Sequence, residues 1–481
     1  MMRKPTRKVR VDGILFILTV CASVAVALAQ NQPLARVSAL GEPGVGTGLN
    51  PKPASQMSLP GLDSNREGEF SNLQSSHVTK PARTPAHAIP LVQLIAEAER
   101  SNPRIIAASR AWQAAAQVPS QVSTLPDPQF TVQQFSVGSP RPFAGFSNSN
   151  FAYVGFGISQ EIPYPGKLRL RGEIAKRDAE AIQDQFDLVR REVIEQLKAT
   201  YFQLSYIQQT LGVLHHDQEL LAEIEKIAEA RYQVGQGDQQ DVLKAQLEET
   251  KLLPEVARHH QEMGTLEARL KQLLNRPADS PDLAVETLTE TPLPYTADQL
   301  LARIRAGNPA VAAEQQVVRQ QGLQVALAHK DFYPDFNVQY MWQHTAEQFR
   351  DYYMLTFGVQ LPIHWRRKQK PHLAEEVEEL NRARRSYEAQ VQQSYFEVRD
   401  QYLAAETDAH VLTIYRQGLI PQAAATFNAG LAAYQNGRED FQTLLDSFQN
   451  VLNLDLEYWR TLADHETALA RLEEMTGITL H

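Results

Sequence analysis

Apolar and polar residues change their period along this chain, and the changes divide it. Between Lys167 and Val234 no proline occurs, and Phe186, Val193, Thr200, Ile207, Leu214, Leu221 and Ala228 recur every seven residues. Leu197, Leu204 and Leu211 add a second seam four residues on. That spacing predicts one long helix packed along a stripe against other helices. At 1.5 Å per residue such a rod spans on the order of 100 Å. A counterpart is expected from about Pro371 to Gln435, with Val391, Val398, Leu412 and Leu419 on heptad spacing.

Elsewhere the period falls to two, which predicts four strands. Phe151 to Ile162 sets Val154, Phe156, Ile158 and Ile162 opposite Tyr153, Gly155, Gly157, Ser159 and Glu161. Tyr352 to Leu361 alternates in the same way, as does Asp335 to His344. Gln129 to Val137 fits least well, because its apolar phase slips after Val132. Strands of about ten residues match the thickness of an outer membrane, and equally an ordinary sheet with one wet face.

The elements come twice. Leu91 to Asp127 and Leu300 to Asp335 each contain a short helix stopped at Asn-Pro (Asn102-Pro103, Asn308-Pro309) and a second helix that ends before Pro-Asp. Proline disfavours helix in its predecessor and opens the next one. Phe156-Gly157 to Pro163 answers Phe357-Gly358 to Pro362, and Tyr232-Gln233-Val234-Gly235 answers Tyr434-Gln435-Asn436-Gly437. Each rod is expected to end at a glycine able to take the left-handed conformation, Gly235 or Gly437. Each returning helix should then restart at an N-capping aspartate, Asp238 or Asp440. The chain therefore reads as a tandem duplication, residues 89–290 and 291–476, with a tail at 477–481. Pro254 is expected to kink the first returning helix.

Composition narrows the class. Only 21% of residues are charged and 43% are hydrophobic, which excludes a polytopic helical membrane bundle. Five basic residues precede the apolar run Ile14 to Leu28, so residues 1–29 read as a secretory signal peptide. Its removal leaves 42 basic and 55 acidic residues, a formal charge of -13, which argues against nucleic acid as a partner. The one cysteine, Cys21, lies in that leader, with Val20 where a lipidation motif usually has a small residue. Without it the exported chain has no disulfide and no Cys-based metal site. Residues 30–88 carry seven Pro, six Gly and seven Ser, and are expected to be an extended or disordered lead-in.

No phosphate loop, nucleophile elbow or His-Glu-x-x-His pattern occurs, so no catalytic residue, cofactor or metal site is expected. His215-His216 and His259-His260 are adjacent on helices and point about 100° apart, so neither pair presents a shared metal-ligand geometry. Glu375-Glu376 and Glu378-Glu379 read as a wet helix face. The runs Pro163 to Lys167 and Pro362 to Lys368 mark where strands become helices, with aromatic and basic residues suited to a membrane–water boundary.

Four strands cannot close a barrel, and an open edge cannot face lipid because its backbone groups would lack partners. Two copies would supply eight strands and three would supply twelve. The paired Asn-Pro helices, both Pro-Asp strand starts, "QEIPYPGKLRLRGEIA" and both tip motifs resemble the TolC-type outer-membrane efflux proteins over roughly residues 88–476. "PYPGKLRLR" and "GDQQDVLKAQ" look closest to the branch serving metal-exporting pumps of the resistance, nodulation and division (RND) type.

The resemblance implies an α+β membrane protein: a homotrimer with a 12-stranded outer-membrane β-barrel continuing into a long periplasmic α-helical barrel. It would be a passive exit duct in a tripartite efflux system, docked on a periplasmic adaptor protein and an inner-membrane RND-type pump, exporting metal ions or small toxic compounds. The adaptor contact falls at the tips, here Val234, Gly235, Gln236, Asn436, Gly437 and Arg438, whose glycines would serve as helix caps in any case. The resemblance also carries a periplasmic constriction onto Asp446, with Thr443 where some members have a second aspartate. Three Asp446 carboxylates would favour cations, whereas a lone one is an ordinary solvated group. The competing reading is a periplasmic coiled-coil scaffold with a small soluble sheet and no channel.

Overall fold

The computed structural model describes residues 88–135, 152–345 and 350–481. The expected leader with Cys21, and all of the expected lead-in except residue 88, lie outside the described residues. Helices α1 (Leu91–Ser101), α2 (Pro103–Ala115) and α3 (Val118–Ser123) lead into β1 (Gln129–Phe135) and β2 (Tyr153–Ile162). The rod α4 (Lys167–Gln233) follows, and α5 (Gln239–Leu273) returns beside it. The second half repeats this order with α6 (Ala297–Gly307), α7 (Pro309–Lys330), β3 (Asp335–Thr345), β4 (Tyr352–Gln360) and α8 (Gln369–Ile414). A π turn (Tyr415–Leu419), α9 (Ile420–Gln435) and α10 (Phe441–Thr476) complete it. Among the described residues no helix is long and apolar enough to cross a membrane.

Both Asn-Pro junctions work as the sequence implies. The Asn102 side chain accepts from the backbone N–H groups of Arg104 and Ile105, and that of Asn308 accepts from Val311, with proline in the first turn of each helix. The halves differ afterwards. The expected second helix is one piece in α7 but is broken at Ala116–Gln117 in the first half. Pro119 accounts for the break, since it has no N–H to donate to the Ala115 carbonyl and is tolerated only in the first turn of a new helix.

The rod α4 buries its seam as its period demands: Val193, Leu197, Leu204, Ile207 and Ala228 are fully enclosed, and Leu214 and Leu221 nearly so. In the second rod the expected seam fails at Leu419, which is 41% exposed inside the π turn. A π turn adds one residue to the helical cycle. The buried side chains beyond it therefore fall one place later than the heptad predicts, at Phe427 and Tyr434. Helix α5 stays continuous through Pro254. Residues 477–481 do not project as a tail: Ile478 is buried and His481 bonds Glu466 and Glu473.

The strands form one antiparallel sheet in the order β1-β2-β3-β4, so the two halves meet at β2 and β3. Phe130, Val132, Phe156, Ile158, Tyr340, Leu355 and Phe357 share one face and are exposed on it. Phe135 sits on the other face, stacked on Tyr153, which is the phase slip seen in the sequence. The hairpin registers correct the repeat alignment. Phe130 pairs with Ile158 and Val338 pairs with Phe357, so Ile158, not Phe156, is the true counterpart of Phe357. Pro163 and Pro362 correspond as expected.

Candidate functional site: the paired helical tips

Both rods end in the same backbone motif. Gly235 (φ 71°) and Gly437 (φ 68°) occupy the left-handed region. The Gln236 N–H donates to the Arg231 carbonyl and the Gly235 N–H to that of Tyr232. Arg438 and Gly437 donate likewise to Ala433 and Tyr434. These bonds satisfy carbonyls that a helix end leaves open, and a side chain at φ near +70° costs roughly 1–2 kcal/mol. Val234, Gly235, Gln236, Asn436, Gly437 and Arg438 are all exposed.

The return helices start differently. Asp440 caps α10: its carboxylate accepts from the Thr443 N–H at 2.8 Å and from the Thr443 hydroxyl at 3.1 Å. The Thr443 backbone bond holds its pKa below the usual carboxylate range. Asp238 stands at the N-cap of α5 with extended backbone, but its side chain accepts no capping bond, contrary to expectation. Asp241, three residues on, is a second carboxylate in the same first turn. The Asp241 carboxylate accepts from the Tyr434 hydroxyl at 3.2 Å.

That bond belongs to a cross-link between the two tips. The Arg231 guanidinium lies 4.4 Å from the centre of the Tyr434 ring and donates to the Gln236 carbonyl at 2.9 Å. A Cβ on Gly437 would stand 3.5 Å from the same guanidinium. Tyr434 is 1% exposed, and burial followed by the Asp241 charge pushes its hydroxyl up to about 12, so it remains a donor. In the sequence the two tyrosines stand at equivalent places of the repeat. Tyr232, the counterpart of Tyr434, is 48% exposed, and periodicity alone does not foretell that asymmetry.

Asp446 is exposed and accepts from Gln442 at 2.7 Å, while Thr443 is committed to Asp440. Thr443 also lines a groove of about 560 Å³ between α9 and α10, with Ala429, Gly430, Ala433 and Ser447. The fold brings His215 and His260 together with ring centres 6.4 Å apart, but no group of three or more potential ligands able to hold a metal ion occurs among the described residues.

Away from the tips, the junction of rod and sheet is tied by Lys167. Its ammonium, 4% exposed, lies 3.1 Å from Asp331 and 2.9 Å from Asp335, and Asp335 also accepts from the Tyr164 N–H at 2.7 Å. The Pro-Asp of one half thus holds the Pro-Gly-Lys of the other.

Residues 94–276 and 300–478 match the outer membrane efflux protein family. The cobalt-zinc-cadmium resistance protein CzcC of Cupriavidus metallidurans is 21% identical over 320 residues, covering 65% of this chain and 74% of that protein. The outer-membrane channel OprN superposes with a TM-score of 0.69 at 17% identity, covering 80% of this chain and 89% of the other. CusC, described in terms of transmembrane channel formation, gives 0.69 at 14% identity over 80% and 91%. VceC of Vibrio cholerae gives 0.69 at 16% identity over 81% and 97%.

Proposed function

The chain belongs to the outer membrane efflux protein family, resides in the outer membrane with a large periplasmic helical part, and, we propose, works as the passive exit duct of a tripartite efflux system. The observation that carries this reading is the sheet. One face exposes Phe130 (70%), Leu355 (58%) and Phe357 (71%), and among the described residues the outer edges of β1 and β4 have no strand partner. Such a face suits lipid, and such edges call for further strands. Three copies would supply twelve strands, enough to leave a conduit above the helical rods. A periplasmic scaffold would have no use for this face.

The tip residues Val234, Gly235, Gln236, Asn436, Gly437 and Arg438 are the proposed contact with a periplasmic adaptor, and an RND-type inner-membrane pump would supply the energy. Asp446 of three copies, near Thr443, would form an acidic constriction favouring cations. The similarity to CzcC favours metal ions as cargo over organic compounds. A deletion strain challenged with cobalt, zinc, cadmium and copper salts, beside dyes and detergents, tests the assignment. Sensitivity to metals alone supports it; sensitivity to dyes alone moves the cargo to organic compounds, and full resistance to both removes the export role.

A further inference from the structure

The duplication holds a template for a joint that one chain cannot make by itself. Inside the chain the halves meet where β2 pairs with β3, and this seam has three parts. The strands pair in a fixed register, Gln160 opposite Val338 and Ile158 opposite Tyr340. Tyr164 stacks on Tyr333 with ring centres 4.6 Å apart. Lys167 is held by Asp335.

Each part has a counterpart on the free edges β4 and β1. The equivalences of Pro163 with Pro362, Asp335 with Asp127 and Ile158 with Phe357 carry Lys167 onto Arg366, Tyr164 onto Ile363 and Tyr333 onto Leu125. All four counterparts are exposed in the single chain: Ile363 is 73% and Leu125 47% accessible, and Asp127 and Arg366 are open to solvent. Among the described residues neither Asp127 nor Arg366 has an ion-pair partner, and Arg366 rests on the Trp365 ring at 5.2 Å. Arg367 and Lys368 extend the basic run. Opposite charges, apolar side chains and unpaired backbone thus stand at matching places on two edges.

We propose that β4 of one copy pairs antiparallel with β1 of the next in the register Val359 opposite Phe130 and Phe357 opposite Val132, locked by Arg366 against Asp127 of that next copy. In this register Gln129 meets Gln360 and Phe135 meets Met354, so the whole of β1 is paired within the span of β4. The exposed apolar faces of the two strands also coincide. A slip of two residues toward the end of β4 would keep the faces but carry Gln129 opposite Pro362, which has no N–H to offer. The ion pair adds directionality, because the basic run lies only after β4 and the aspartate only before β1.

This joint rests on the self-completed barrel of the proposed function, and the test separates the two. With Cys21 replaced by serine, Thr131→Cys and Gly358→Cys are combined and oxidised in outer membranes. Gly358 has room for a Cβ, its nearest neighbour lying at 3.5 Å. Intermolecular disulfides are expected for this pair, and several-fold less for Thr131→Cys with Gln360→Cys. Asp127→Arg and Arg366→Asp should each lower the trimer fraction on detergent dilution by about threefold or more, and the double exchange should restore it. A trimer that cross-links better through the shifted pair, or that ignores both charge reversals, overturns the joint and leaves the channel standing. Absence of any oligomer overturns both.

Discussion

Asp217 on α4 and Asp455 on α10 are buried to 6% and 8% exposure on helices that pack together, and the Oδ2 atom of Asp217 has no hydrogen-bond partner. Burial, then the charge of Asp455, pushes Asp217 up to about 7; burial pushes Asp455 up to about 6, against the pull of His216. A carboxyl raised in the folded state costs nothing below its unfolded pKa. Its penalty grows from there to the folded pKa and is constant above it. For Asp217 the full shift corresponds to roughly 4 kcal/mol, of which about 3 kcal/mol develops between pH 5 and pH 8. The α4–α10 contact should therefore be tightest in acid and loosen as pH rises to about 7. Asp217→Asn removes the ionisation and should stabilise this contact at pH 8, and by less than half as much at pH 5. Hydrogen exchange of residues 210–220 and 450–458, corrected for the pH dependence of chemical exchange, reads the local opening. Equal protection of wild type and variant at pH 8, or wild-type protection that rises from pH 5 to pH 8, would refute the reasoning.

The tips offer further tests. Tyr434→Phe removes the bond to Asp241 and should loosen the link between the two hairpins by about 1–2 kcal/mol, seen as a higher single-channel conductance; an unchanged conductance contradicts the link. Gly437→Val forces a branched side chain to φ 68° beside Arg231 and should impair export while the trimer persists; wild-type export would count against docking at this tip. Asp440→Ala should fray the first turn of α10, whereas Asp238→Ala should leave α5 nearly unchanged, because only Asp440 makes a capping bond. Amide exchange in the two first turns distinguishes them.

Much of the architecture was legible because it is written in period and repetition. The heptads of α4, the alternation of β2 and β4, the Asn-Pro junctions and the left-handed glycines each follow from local stereochemistry. What escaped depends on contacts between residues far apart in the chain. Lys167 meets Asp335, Arg231 meets Tyr434 and Asp217 meets Asp455 only after the helices pack, and no local pattern marks them. The π turn at Tyr415–Leu419 has no composition signal of its own, so the seam beyond it was misplaced by one residue. Asp238 and Asp440 occupy equivalent places in the repeat, and only Asp440 makes a capping bond.

The central claim is that one chain supplies a third of a wall and completes it with copies of itself. Native mass spectrometry of detergent-solubilised protein, with the same preparation added to planar lipid bilayers, tests this most directly. The account predicts particles of three chains that conduct ions in discrete steps. A folded monomer that stays in solution once detergent is withdrawn, and that leaves the bilayer insulating, would contradict it.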